Sequence, residues 1–244
     1  MSIIIVQSHA HLGDNIINFI FFYQIKNFIE ENNIVIHYYC LPQYHKNLLD
    51  FNCSENIKIL NYENKGYVLW QGTTPLSHFI EDQLCNMFNI FLKKYNFPIL
   101  VNSFEYKDPE LFTRFESLED KYKNIDILII NSTPLSGQYQ QYNKQEWDNF
   151  IIRLSQKYIV ATSQKVDDEK VISLQEFSVK NIASIALKTK IIIAINTGPS
   201  IPFYNTDILD NIDVIYLFGS DRHKFKTRKI REHSNINELS FLLS

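Results

Sequence analysis

The sequence predicts an α/β protein of two successive lobes, each built on a mainly parallel sheet. Short continuous apolar runs, such as IIIV at residues 3–6, are typical of strands that are buried on both faces. Segments with apolar residues at helical spacing alternate with these runs. A stretch with little strand signal near residues 100–120 divides the series, so we expect one lobe over residues 1–118 and a second over residues 119–244.

The first lobe should alternate strands and helices. Ile3–Val6 is expected as the first strand, and helical spacing of Ile and Phe over residues 15–30 predicts the first helix. Further strands are expected at residues 34–40, 57–60 and 66–70, with another helix at residues 80–95.

The second lobe repeats this rhythm. We expect strands at residues 125–131, 157–162, 191–196 and 214–220, the last being the final strand, and helices at residues 144–157 and 178–189. Two facing Rossmann-like lobes are the simplest architecture for such a pattern, with a ligand in the cleft at the carboxyl ends of the strands.

Composition and charge narrow the class of protein. The chain has 244 residues, 45% hydrophobic content and a net charge of -3, which is ample for a core and disfavours a nucleic-acid binder driven by bulk charge. The basic cluster at residues 222–231 is more typical of a solvated helix or loop. Three cysteines without CxxC spacing predict reduced thiols. With no leader or membrane span visible, we expect a cytoplasmic protein with at most peripheral membrane contact.

Familiar chemical motifs are missing from the sequence. It contains no GxGxxG after the first strand, no GxxxxGK[ST], no HExxH and no GxSxG. His9 and His11 would share one face of a strand, where a metal pair is conceivable. No further ligand cluster completes such a site in the sequence, so we expect no metal and no other cofactor.

Four stretches carry a resemblance to a known family: LGDNIIN at residues 12–18, NSTPLSGQYQQYNKQEW at 131–147, SLQEFSVKNIASIALKTKIIIAINTGPS at 173–200, and VIYLFGS at 214–220. Their order and spacing resemble the heptosyltransferase-like glycosyltransferases, the ADP-heptose:lipopolysaccharide transferase family (glycosyltransferase family 9-like). The resemblance implies the two-lobed GT-B fold. It also implies sugar transfer from a nucleotide-sugar donor to a hydroxyl of a glycan, glycolipid or other acceptor, inverting and independent of metal.

The resemblance assigns the first of these stretches to the acceptor side. Asp14 matches the family's base, which must lie within hydrogen-bond reach of the acceptor hydroxyl. His11, Gly13 and Asn15 surround it. The alternative for Asp14 is helix capping, in which its carboxylate accepts backbone N–H bonds in the first turn of the helix expected to begin at residue 15.

The second lobe is expected to hold the donor. Small polar side chains and a glycine at strand ends suit diphosphate oxygens, Lys144 matches a lysine that neutralises the leaving group, and Glu176 matches an acidic residue that contacts the ribose. Lys144 also fits an ordinary exposed first-turn lysine, and Glu176 fits a helix cap with Ser173. The expected donor residues are Ser132, Thr133, Ser136, Gly137, Lys144, Glu176, Asn196, Thr197, Gly198 and Ser200.

The sequence also departs from the family pattern. Asn196 stands where the family has Asp, and Ser200 and Pro202 stand where a His follows. These changes favour an alternative, a non-catalytic nucleotide- or sugar-binding module or a subunit of a modification complex. A nucleotide-sugar epimerase would need acids and bases on both faces of the sugar, for which only Asp14 and His11 are available.

Overall fold

A computed structural model describes residues 3–64, 66–69, 80–97, 100–101, 120–135, 139–219 and 229–244 of the chain. The chain divides into two compact units, Met1–Leu111 and Phe112–Ser244. The stretch near residues 100–120 that separates the two series of strands in the sequence lies largely outside the described residues.

The N-terminal unit contains the expected alternation. Its strands are β1 Ile3–Ser8, β2 Val35–Cys40, β3 Ile57–Asn61 and β4 Tyr67–Val68. Its helices are α1 Leu12–Gln24, α2 Lys26–Glu31, α3 His45–Asp50 and α4 Ile80–Lys94, and a 3-10 turn occupies Pro42–Tyr44. The helix expected over residues 15–30 begins three residues earlier and is broken at Ile25, whose backbone (φ -101°, ψ 17°) leaves the helical region.

The sheet of this unit has the order β3-β2-β1-β4, and each of its pairings is parallel. The register aligns Val6 of β1 with Tyr38 of β2. Helix α1 covers the face that carries these two side chains, because Phe19 and Phe22 meet the Tyr38 ring edge-on at 5.0 and 5.9 Å. This contact packs the second half of α1 against β2.

The C-terminal unit has a larger sheet. Its strands are β5 Ile127–Ile130, β6 Val160–Thr162, β7 Val171–Ser173, β8 Ile191–Ile195, β9 Val214–Phe218 and β10 Ile230–His233. Its helices are α5 Lys144–Leu154, α6 Val179–Ala186 and α7 Thr206–Asn211, with 3-10 helices at Asp120–Tyr122, Gly198–Tyr204 and Ile236–Leu243. The order is β10-β9-β8-β5-β6-β7, again with parallel pairings.

Two short edge strands differ from the sequence expectation. The strand at 214–218 is not the last one, because Ile230–His233 pairs beside it, so residues 230 and 231 of the basic cluster lie in a strand rather than in a solvated helix or loop. Val171–Ser173 forms the opposite edge. Edge strands tolerate charged residues and short lengths, so neither shows the apolar run that identified the central strands.

The central strands owe their continuous apolar character to burial on both faces. In β5, Leu128 and Ile130 belong to a core cluster with helices α6 and α7. The alternate residues Ile127 and Ile129 belong to a second cluster with α5 and the C-terminal 3-10 helix. The sheet therefore lies between two helical layers, as in doubly wound α/β proteins.

Both units are α/β structures with parallel sheets and helical crossovers, which confirms the predicted fold class. In the ranges that the structure describes, no helix is both long enough and apolar enough to cross a membrane. None of the three cysteines, which all lie in the described ranges, forms a disulfide bond; Cys40 and Cys85 are buried and Cys53 is half-buried.

Candidate functional site

The N-terminal sheet has a topological switch point at β1. The chain runs from β1 outward through β2 and β3, whereas β4 pairs on the opposite side of β1. The chain therefore changes side of the sheet between β1 and β4, and α/β proteins place ligands at the carboxyl edge of such a point. Residues 9–11 and the first turn of α1, including Asp14, follow β1 at this edge.

Asp14 is half-buried in the first turn of α1. The N-cap position belongs to His11, whose side chain makes no cap hydrogen bond. Asp14 is therefore not the N-cap of this helix, which begins before it and not after it. A carboxylate in the first turn is nevertheless favoured by the partial positive charge of the helix N-terminus.

The three residues expected around Asp14 differ in accessibility. His11 is exposed and Gly13 is half-buried, whereas Asn15 has 0% exposure. The Asn15 side chain donates to the carbonyl oxygens of Ala10 at 3.1 Å and His11 at 2.8 Å. The Asn15 side chain is thus used in hydrogen bonds to the loop before α1. It could influence an acceptor only by holding this loop in place.

The possible metal pair does not form as conceived. Strand β1 ends at Ser8, so His9 and His11 lie in the following loop and do not share a strand face. The His9 ring instead packs edge-on against Tyr62, with 6.2 Å between ring centroids. Over the described ranges, no group of three His, Cys, Asp or Glu residues is placed to hold a metal ion.

The C-terminal sheet has its own switch point, between β5 and β8. The chain runs from β5 to β6 and β7 on one side, and β8, β9 and β10 lie on the other. The loops that leave the adjacent carboxyl ends of β5 and β8 begin at Asn131 and Asn196. The structure therefore brings together two of the loops expected to bind the donor, one strand spacing of about 5 Å apart.

A hydrogen-bond network organises the loop after β5. Asn131 is 4% exposed, and its Oδ1 accepts from the Gln164 amide at 2.9 Å and from the Ser163 hydroxyl at 3.2 Å. Ser132 lies beside this pair, with its Oγ 3.2 Å from the Ser163 Oγ. Thr133 is exposed.

Two expected donor residues, Ser136 and Gly137, lie outside the described residues. Conversely, Ser163 and Gln164 join this edge without having been predicted. The sequence does contain a signal for them: Ser163 and Gln164 are polar residues that directly follow the apolar run at residues 157–162, and such residues mark the carboxyl end of a parallel strand.

The bend after β8 is held by its own side chains. Ser200 is 1% exposed; its Oγ donates to the Thr197 carbonyl at 2.8 Å and accepts from the Thr197 amide at 3.3 Å. The Thr197 hydroxyl donates to the Ile195 carbonyl at 3.2 Å. In this conformation, the Ser200 hydroxyl and Thr197 amide are engaged within the bend, whereas Thr197 and Gly198 remain partly accessible. Asn196 is 8% exposed, and its amide extends the ladder to β9 by donating to the Phe218 carbonyl at 2.8 Å.

Lys144 is the first residue of α5, whose N-cap is Asn143. Its side chain is 61% exposed, and its Nζ forms an ion pair with Asp148 one turn along the helix. The hydrogen bond to Asp148 raises the pKa of the Lys144 ammonium above its usual range. Because α5 begins at the carboxyl edge of the sheet, Lys144 lies on the side of the switch point, although its present partner belongs to its own helix.

Glu176 is exposed in the turn between β7 and α6. The capping alternative with Ser173 is wrong, because Ser173 ends β7 and the N-cap of α6 is Ser178, whose hydroxyl accepts from the Asn181 amide at 3.3 Å. Strand β7 lies two strand spacings from β5, or about 10 Å. Glu176 therefore shares the carboxyl edge with the two loops at the switch point but stands to one side of them.

No protein-family model and no curated protein sequence matches the chain. Among solved structures, E. coli heptosyltransferase WaaC with ADP-2-deoxy-2-fluoro heptose is similar at a TM-score of 0.51 and 9% identity, over 95% of this chain and 92% of that one. E. coli ADP-heptose lipopolysaccharide heptosyltransferase II is similar at a TM-score of 0.50 and 11% identity, over 100% and 98%. The chain therefore has the GT-B-like α/β fold of these heptosyltransferases, as the four sequence motifs predicted.

Proposed function

We propose that this protein is a glycosyltransferase that moves a sugar from a nucleotide-sugar donor to an acceptor hydroxyl. The transfer inverts the anomeric centre, needs no metal ion and uses Asp14 as general base. The observation that carries the proposal is the position of the expected residues, because Asp14 and the loops at Asn131 and Asn196 lie at the switch points of their sheets. The cytoplasmic location and the acceptor classes expected from the sequence are part of the proposal.

The similar folds support a nucleotide sugar as donor. One of those structures, E. coli WaaC, carries ADP-2-deoxy-2-fluoro heptose. Strand-end loops at a switch point are suited to such a ligand, since Gly198 is partly exposed and its lack of a side chain admits a close approach of phosphate oxygens.

The chemistry needs a proton acceptor and a group that stabilises the leaving diphosphate. Asp14 supplies the carboxylate that accepts the proton of the attacking hydroxyl. Lys144 supplies positive charge for the diphosphate, and its ion pair with Asp148 is broken when the diphosphate binds. An exposed pair of this kind contributes at most about 1 kcal/mol, so the exchange is energetically small.

A second candidate is a non-catalytic module that binds a nucleotide or sugar, or a subunit of a modification complex. The neutral Asn196 in place of the family's Asp favours it. This candidate predicts ligand binding that does not lead to sugar transfer.

The first experiment is a thermal-shift screen of the full chain against UDP, GDP, ADP, CMP and dTDP sugars. A ligand at 100 times its Kd adds about 2.7 kcal/mol of stability. For a domain of this size, that corresponds to a rise in Tm of about 5–10 °C. If no nucleotide sugar raises Tm, donor binding is refuted, and both the glycosyltransferase and the nucleotide-binding module fall.

The second experiment separates the two candidates. Asp14→Asn should lower the rate of sugar transfer or donor hydrolysis by about 100- to 10,000-fold while donor binding persists. Asp50→Asn, at the end of α3 in the same unit, is the matched control and should leave the rate unchanged. Equal rates in wild type and Asp14→Asn would remove the base, and binding without any turnover would establish the non-catalytic module.

A further inference from the structure

A cluster of polar side chains lies buried behind Asp14, between α1 and the first two strands. Asn15 and Asn18 on α1 and Tyr38 on β2 each have 0% exposure. Burying polar groups is unfavourable unless they form hydrogen bonds, so a cluster of this kind in an otherwise apolar core has to be explained by its bonds.

The hydrogen bonds form one chain. Asn18 Nδ2 donates to the Tyr38 hydroxyl at 2.9 Å, and the Tyr38 hydroxyl donates to Asn15 Oδ1 at 2.7 Å. Asn15 Nδ2 then donates to the carbonyl oxygens of Ala10 at 3.1 Å and His11 at 2.8 Å. The chain begins inside the core and ends on the loop that leads directly into Asp14.

Packing alone does not account for the tyrosine. Its ring is already held by edge contacts with Phe19 and Phe22, and a phenylalanine would make the same contacts. Only the hydroxyl links Asn18 to Asn15. Within the described residues, Asn18 Oδ1 has no hydrogen-bond partner, so the phenol alone orients this amide.

The phenol keeps its proton under all ordinary conditions. Burial raises the pKa of Tyr38 far above its usual value, and the nearby Asp14 carboxylate adds a smaller shift in the same direction. Tyr38 therefore retains the proton that its hydroxyl donates to Asn15.

We propose that Tyr38 and Asn15 are positioning residues for Asp14, which hold the loop between β1 and α1 in the one conformation that presents the carboxylate at the switch point. The catalytic part of this inference rests on the proposed function, since it takes Asp14 to be the base. A base has to be held closely, because a displacement of about 1 Å can cost about 100-fold in rate.

The test compares Tyr38→Phe with wild type by two measurements. Hydrogen exchange should show the amide of residue 15, which donates to the His11 carbonyl at 3.2 Å, exchanging at least about tenfold faster, because the loop that carries this carbonyl has lost one anchoring bond. With the nucleotide sugar from the UDP, GDP, ADP, CMP and dTDP panel that is turned over, kcat should fall about 10- to 100-fold while the donor KM stays unchanged. A loss of overall stability alone would not produce this split.

Two further variants sharpen the comparison. Phe88→Leu is the matched control, since Phe88 is buried in the same unit and packs on Phe21 at 5.5 Å without joining the network. It should lower stability and leave both measurements at their wild-type values. Asn15→Ala should reproduce Tyr38→Phe, and the double variant should be no worse than either single one, because the two residues act in one chain.

The outcomes for this inference and for the proposed function can be told apart. If Asp14→Asn does not change turnover, the proposed function fails, and the exchange measurement still decides whether the network holds the loop. If Asp14→Asn abolishes turnover but Tyr38→Phe leaves kcat at the wild-type value, the positioning role is refuted. Unchanged exchange at the amide of residue 15 in Tyr38→Phe refutes it as well.

Discussion

Gly66 is a position in the N-terminal unit where one added methyl group should be strongly destabilising. Its backbone has φ +103°, a conformation that residues with a Cβ rarely adopt. A Cβ built at this position would lie 2.5 Å from Ile5 Cγ2 and 2.7 Å from the Ile5 carbonyl oxygen. The carbonyl belongs to the backbone of β1 and cannot turn away, so we expect Gly66→Ala to push the chain off β1.

The magnitude has two parts. The strained backbone costs about 1–3 kcal/mol, and overpacking against β1 costs about another 1–3 kcal/mol. Together these amount to about 2–6 kcal/mol, against a total stability of about 5–15 kcal/mol for a typical domain. Because Gly66 directly precedes β4, which pairs with β1 through Val6–Tyr67 and Gln7–Val68 alone, much of the loss should appear at the switch point.

Urea denaturation followed by circular dichroism measures the loss, and hydrogen exchange at β1 and β4 assigns it to this region. Asn33→Ala is the control for backbone strain alone, since Asn33 is exposed and has φ 49°. It should cost about 1 kcal/mol. A Gly66→Ala loss no larger than that of Asn33→Ala would show that the close approach to β1 does not matter.

Three further predictions concern single side chains. Hydrogen bonds from Ser234 and then His233 lower the pKa of Glu238 to about 2, so its contribution to stability is present above pH 4.5 and fades as pH falls toward 2. Urea midpoints of wild type and Glu238→Gln should therefore differ at pH 7 and converge near pH 2; a constant difference contradicts this. Burial raises the pKa of Cys53 from 9.0 to about 11, so iodoacetamide should alkylate it about 100-fold more slowly in the folded chain at pH 8, as mass spectrometry can measure. Lys144→Ala should weaken nucleotide diphosphate binding about tenfold by calorimetry if the lysine meets the leaving group, and an unchanged Kd would reduce it to a surface lysine.

The sequence was sufficient for the central elements of the fold. Strands such as β5 and β8 are apolar throughout because both faces are buried, and this pattern is visible without any structure. The edge strands β7 and β10 were not predicted, since three or four residues at the edge of a sheet need no apolar run. The start of α1 was placed too late, because Gly13 and Asp14 are weak helix formers and the first apolar periodicity begins after them.

The candidate site was less predictable than the fold. Asn15 lies in a polar motif and was expected to face an acceptor. In the structure it is buried and accepts a hydrogen bond from Tyr38, which is 23 residues away in the sequence. Helical periodicity does not indicate which polar residue finds such a partner. Likewise, the hydroxyl of Ser200 was expected at a phosphate and is used to close its own bend, a local hydrogen bond that competes with ligand contact.

The two-sided burial of β5 has a consequence for strand alignment. In most sheets a slip by one residue is prevented because it would drive polar side chains inward. In β5 a slip by one residue would move each apolar side chain from one hydrophobic core cluster into the other, so the pattern of the strand imposes no such penalty. The side chains concerned are Ile127, Leu128, Ile129 and Ile130. The alignment of β5 with its neighbour must therefore be set at the ends of the strand. There the Asp126 carboxylate accepts a hydrogen bond from the Ile159 amide at 2.8 Å, and Asn131 Oδ1 accepts one from the Gln164 amide at 2.9 Å. Asn131 therefore helps to align the strands of the sheet, whether or not a ligand binds beside it.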